Sequence, residues 1–185
     1  MVNYQDLLHI IWIPGALGDD ERLRFETSSQ YVLEAVAAIE EHNPDRLAEE
    51  QPELHQELSR IDAKLQLILE LVAQLRKAPD DAESQPRRNV IFSADRVEFE
   101  VSGEKTPPHG EGLLKVFLHP AIPEPLVLPG QIEEVSSRDE MSFATLTPCE
   151  RHWRFREALS RHVFRHHRRQ VAAARAGERQ RRSGA

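Results

Sequence analysis

The 185-residue chain has one cysteine, Cys149, which excludes a disulfide framework and any zinc site built from several cysteines. A lone thiol suits a reducing compartment. Aromatic residues make up only 6%, so the core is modest, and 8 glycines with 12 prolines are too few for a collagen-like or low-complexity chain. No long apolar run is present. The longest early stretch, Leu7 to Ile13, contains His9, is too short to span a bilayer and ends at Pro14-Gly15. Met1 to Asp6 carries no Lys or Arg, so the basic start of a secretory signal is missing. The expectation is a cytoplasmic protein without a membrane span, in which residues 1–18 form a strand or an apolar arm packed on the body.

What is present is charge, unevenly placed. Residues 1–86 hold 7 Lys/Arg against 18 Asp/Glu, residues 87–148 hold 6 against 10, and residues 149–185 hold 11 against 3. An acidic first half, a mixed middle and a basic end suggest three modules.

The first module reads as helical. Asp19-Asp20-Glu21 places negative charge where a helix N-terminus favours it. Leu23, Tyr31, Val32, Val36 and Ile39 follow at helical spacing, with Glu34, Glu40 and Glu41 on the wet side. His42-Asn43-Pro44 stops the run. A second run starts near Gln51-Pro52-Glu53 and carries Leu54, Leu58, Ile61, Leu65, Ile68, Val72 and Leu75, alternating steps of four and three. That 3.5-residue repeat is a coiled-coil seam. Leu58, Leu65 and Val72 take position a, and Leu54, Ile61, Ile68 and Leu75 take d, a pattern that favours four strands over two. The same stripe would also serve to pack the helix on its own domain.

Ala78 to Pro86 is a linker, after which the period changes to two. Strand-like runs are Arg88–Ser93, Val97–Val101, Leu113–Leu118, Pro125–Val135 with a break at Pro129-Gly130, and Met141–Leu146. Five short strands in about 60 residues suggest a small barrel. Thr147-Pro148-Cys149-Glu150 reads as a capping box that opens a helix, with Trp153, Phe155, Leu159, Val163 and Phe164 as its apolar face. The helix turns basic at Arg165, Arg168, Arg169 and Arg175, and residues 176–185 read as a disordered tail.

A barrel closed by a helix reading Leu159-Ser-Arg-His-Val-Phe-Arg-His-His-Arg-Arg169 resembles a PilZ domain. The N-terminal arm, the heptad stretch Glu57–Leu67 and the segment Leu118–Gly130 are similar to the atypical, oligomeric PilZ proteins of xanthomonads and pseudomonads. The resemblance implies cyclic di-GMP as the family ligand, held by RxxxR before a first strand and [DN]xSxxG within it. Guanidinium forks grip phosphate and stack on guanine. Arg87 and Arg88 stand where the first motif belongs, but Ile91 and Phe92 follow at the second arginine's place. With Ser93 aligned to the motif serine, Ile91 replaces the acid or amide and Arg96 replaces the glycine. Binding in the usual mode is therefore not expected, and no other cofactor is.

Other candidates read as structural. His162 and His166 are four apart, as a metal pair would be, yet no carboxylate in the same turns completes a site, so no metal is expected. Cys149 has no oriented base beyond its sequence neighbour His152, so enzyme activity is not expected. The whole reads as an α+β protein. Its parts are an apolar arm (1–18), a helical oligomerisation module (19–77), a linker (78–86), a PilZ-like antiparallel barrel (87–148), a closing helix (149–175) and a basic tail (176–185). The resemblance implies a non-enzymatic adaptor in cyclic di-GMP-linked regulation of motility, type IV pili or virulence. Its partners would be its own copies, as a tetramer, and an unidentified signalling or pilus-related protein. Two alternatives stand beside this: a receptor that binds the nucleotide in a non-standard mode through Arg87 and Arg88, and nucleic-acid binding by the basic helix, the less expected of the two.

Overall fold

In a computed structural model, residues 2–41, 56–61, 63–65, 67–68, 86–101, 108–138, 141–149 and 152–183 are described. In chain order they form β1 (Asn3–Pro14), α1 (Asp19–Glu41), β2 (Arg87–Ser93), β3 (Val97–Glu100), β4 (Gly110–Phe117), β5 (Leu126–Arg138), β6 (Met141–Pro148) and α2 (Trp153–Ser183). The six strands close into an antiparallel barrel in the order β1-β2-β3-β6-β5-β4, with β4 returning to β1. Two helices pack on it, so the α+β class holds.

The sixth strand is the segment expected as an arm. β1 pairs through Asn3–His9 with β2 and through His9–Pro14 with β4, so residues 1–18 do not form a unit apart from residues 87–148. Alternation explains it: Tyr4, Leu8 and Ile10 are buried while residues between them turn outward. Their side chains join Phe92, Phe99, Leu114 and Leu128 in one core. β5 likewise runs straight through Pro129-Gly130, where a break was expected. Gly130 faces Gly112 of β4, and a Cβ on Gly130 would lie 2.7 Å from the Thr147 carbonyl oxygen. Only glycine allows that approach.

Among the stretches of strand that lack a neighbour on one side, two are covered by a helix. Leu126–Pro129 of β5 extends past the end of β6. There the Ser29 hydroxyl of α1 accepts from the Val127 N–H and donates to the Val127 carbonyl, each at 2.9 Å. Asn3–Leu8 of β1 pairs with β2 alone, and the Gln170 amide of α2 meets both the N–H and the carbonyl of Gln5. An uncovered edge would leave backbone groups unpaired and open to another chain.

The buried face of α1 is therefore Glu26, Ser29, Val32, Leu33 and Val36, whereas Leu23, Tyr31 and Ile39 are exposed. The buried face differs from the expected stripe because Ser29 finds its partner on β5 and Glu26 at the residue that precedes α2. α2 also differs from expectation. Thr147 and Pro148 belong to the β5–β6 ladder and the Cys149 N–H donates to Pro129, so the backbone needed for a capping box is already used. The helix starts at Trp153, where His152 Nδ1 accepts from the Arg154 N–H and the Glu26 carboxylate accepts from the His152 N–H. Phe155, Leu159, His162 and Val163 are buried, but Trp153 and Phe164 are not, and the helix continues to Ser183 where a disordered tail was expected.

Ser29→Ala should lower stability by about 1–3 kcal/mol in urea unfolding, because it strands a buried N–H and carbonyl. Gln170→Ala, on the exposed edge, should cost under about 1 kcal/mol since water replaces the amide.

Candidate functional site

Arg87, Arg88 and Ser93 do not converge. Arg87 and Ser93 sit at opposite ends of β2, six residues or about 20 Å apart in extended chain. Arg87 is exposed with its Nε 3.4 Å from His9 Nε2, while Arg88, on the alternate face, donates to the Glu100 carbonyl at 3.1 Å. Ser93 is buried, and its N–H donates to the Arg96 carbonyl at 2.9 Å to close the β2–β3 turn. Arg96, in the place of the motif glycine, holds Glu98 at 3.3 Å, and Arg138 reaches the same buried carboxylate at 2.9 Å. The turn that would approach a base carries an internal ion triad instead.

Of the heptad residues, Leu58, Ile61, Leu65 and Ile68 lie in helical stretches and are 39% to 54% exposed. Leu54, Val72 and Leu75 lie outside the described residues, as do residues 78–85 of the expected linker.

The most densely connected polar group among the described residues is one that sequence patterning does not reveal. Tyr4 Oη and His162 Nε2 share a buried hydrogen bond of 2.7 Å. The Tyr4 ring stacks on Phe92 at 5.2 Å and on His166 at 4.7 Å. His166 Nε2 lies 3.0 Å from Glu40 Oε1, while Glu40 Oε2 is 2.9 Å from Arg169 and 3.5 Å from Arg165. Glu40, expected on the wet side, thus anchors α1 to α2. Burial, reinforced by the neighbouring His166, Arg165 and Arg169, pushes His162 down to about 3. Burial likewise lowers His166 against the pull of Glu40, and raises Tyr4 well above a free phenol. All three are neutral at pH 7, which suits a packed joint. Among the described residues no group of side chains is arranged to hold a metal.

Between α1 and α2 runs an open groove of about 330 Å³, floored by Leu33, Ala37 and Ala158 and rimmed by Glu34, Trp153 and Arg161. It contains both acids and arginines and presents no oriented nucleophile and base.

A family model described as "Atypical PilZ domain, cyclic di-GMP receptor" matches residues 33–176. The chain belongs to this family. The PilZ match takes in part of α1, the heptad stretch, β2 to β6 and most of α2, while β1 lies outside it. Among solved structures, the chain is similar to a pathogenic protein from Xanthomonas campestris, described as a tetrameric PilZ domain self-assembled via an unusual helical bundle. The two are 25% identical with a TM-score of 0.72, over 92% of this chain and 91% of that one. No curated protein matches the sequence. No described helix of this PilZ protein is long and apolar enough to cross a membrane.

The buried joint makes a pH prediction. His162 has a folded value near 3 and an unfolded value near 6.5, so between those limits the unfolded chain binds the extra proton. Stability should be full above about pH 6.5 and fall as the pH drops towards 3. In His162→Gln, urea midpoints measured from pH 7.5 to 4.5 should fall less steeply than in wild type. Parallel slopes would clear His162 of that role.

Proposed function

We propose that this PilZ protein is a non-enzymatic, cytoplasmic adaptor that assembles, as a tetramer, through the heptad helix Leu54–Leu75 and displays its barrels to a signalling partner in cyclic di-GMP-linked regulation. The observation that carries it is the exposure of Leu58, Ile61, Leu65 and Ile68, four leucines and isoleucines at seam spacing that the barrel does not cover. Burying such a seam is worth roughly 1.5–3 kcal/mol per side chain, which a monomer forgoes. The tetrameric assembly described for the Xanthomonas campestris protein supports the number.

The nucleotide is not bound in the family's usual mode. Arg87 and Ser93 at opposite ends of β2, and Arg96 committed to Glu98, support this. A receptor using Arg87 and Arg88 is the second reading, favoured by the exposure of Arg87 beside His9.

Ile61→Asn/Ile68→Asn should reduce the light-scattering mass from about four chains to one while leaving the barrel's circular dichroism unchanged. An unchanged mass would refute the intermolecular seam. Titration of cyclic di-GMP to 100 micromolar should give no calorimetric signal. Micromolar binding that disappears in Arg87→Ala/Arg88→Ala would establish the second reading instead.

A further inference from the structure

The arginines of α2 fall into two sets with different duties. Arg165 and Arg169 turn towards α1 and hold Glu40. Arg154, Arg161, Arg168 and Arg175 recur every seventh residue and are all exposed. On a helix this interval keeps them in one stripe, with neighbours about 10.5 Å apart. The stripe faces away from buried Phe155, Leu159 and Val163, while Arg154 and Arg161 at its edge also rim the groove shared with the protomer's own α1, Arg161 pairing with Glu157 at 2.7 Å. Trp153 and Phe164 stand along it, 61% and 53% exposed, with Arg154 5.4 Å from the Trp153 ring and Arg168 5.8 Å from the Phe164 ring.

The outer face of α1 has the complementary character. Asp20, Thr27 and Glu34 recur at the same seven-residue interval and are exposed, flanked by Leu23 and Tyr31 at 58% and 66% exposure. Outside the heptad stretch, Leu23, Tyr31, Trp153 and Phe164 are the most exposed large apolar side chains described. α1 carries seven acids against two arginines, and α2 ten arginines against two glutamates. A stripe repeating every seven residues fits a helix rather than a sheet or loop. Like charge prevents two α2 stripes from pairing with each other, and a protomer's own α1 already packs against the flank of its α2.

We propose that the outer face of α2 docks on the outer face of α1 of a second copy of this chain, arginines against carboxylates and Trp153 and Phe164 against Leu23 and Tyr31. The contact is heterologous, so it closes into a ring in a cyclic tetramer. Only that closure rests on the assembly proposed above.

The test uses the full chain with Cys149→Ser, Tyr31→Cys and Phe164→Cys. Mild oxidation should convert most of it to interchain-linked species on a denaturing gel, whereas chains with either new cysteine alone should stay unlinked. Arg161→Glu/Arg168→Glu should reduce linking at least fivefold, and adding Asp20→Arg/Glu34→Arg in the same chain should restore it. Absence of linking, or linking indifferent to both reversals, would overturn the contact. So would a stripe whose reversal leaves linking intact but abolishes binding of a 20-nucleotide single strand, since that assigns the arginines to nucleic acid. Light-scattering mass of Ile61→Asn/Ile68→Asn reports the heptad seam at concentrations where the docking contact alone does not hold chains together, so failure of one proposal is told from failure of the other.

Discussion

The structure depends on one strand that must satisfy two edges at once. β1 lies between β2 and β4, with its first half bonded to one and its second half to the other. Without it the remaining five strands would form an open sheet with two unpaired rows of backbone groups. Its closure is staggered, which leaves Asn3–Leu8 free on the β4 side, and β6 ends short of Leu126–Pro129 on β5. Gln170 and Ser29 fill them, so the placement of both helices follows from how the barrel closes. Tyr4, near the start of the same strand, then supplies the ring and hydroxyl on which α2 settles.

The helices face an electrostatic problem that their side chains solve. Glu26 of α1 meets the start of α2, and Glu40 fourteen residues later meets Arg165, His166 and Arg169, so the two helices run parallel. Parallel neighbours align their dipoles unfavourably. Glu26 places a carboxylate at the positive end of α2. Arg169 donates to the Glu40 carbonyl in the last turn of α1, which has no basic residue of its own. Each helix thus supplies the charge that the other's terminus lacks. The acid-rich and arginine-rich sequences have a local use here before any partner is considered.

The same division of labour bears on function. The residues nearest to a nucleotide motif are spent on the fold: Ser93 closes a turn, Arg88 binds a backbone carbonyl and Arg96 holds Glu98. Arg87 stays exposed on β2, as do apolar and charged stripes on the helices.

The strands of the barrel, the helical stretches that carry the heptad repeat and the basic closing helix were legible in the sequence, because each is a local pattern whose period sets which side chains share a face. The role of residues 3–14 was not, since an alternating apolar segment pairs equally well with any edge and only closure of the barrel selects two. The rotation of α1 escaped for a related reason: Ser29 and Glu26 look like surface residues until strand β5 and the start of α2 arrive beside them. The four-residue spacing marks His162 and His166 as a pair, but their partners Tyr4 and Glu40 lie more than a hundred residues away. Sequence alone determined the type of β2 to β6, of α1 and of the body of α2, through the period of their apolar residues. Tertiary structure decided which polar side chains are buried, because that depends on backbone groups left unpaired where distant strands meet.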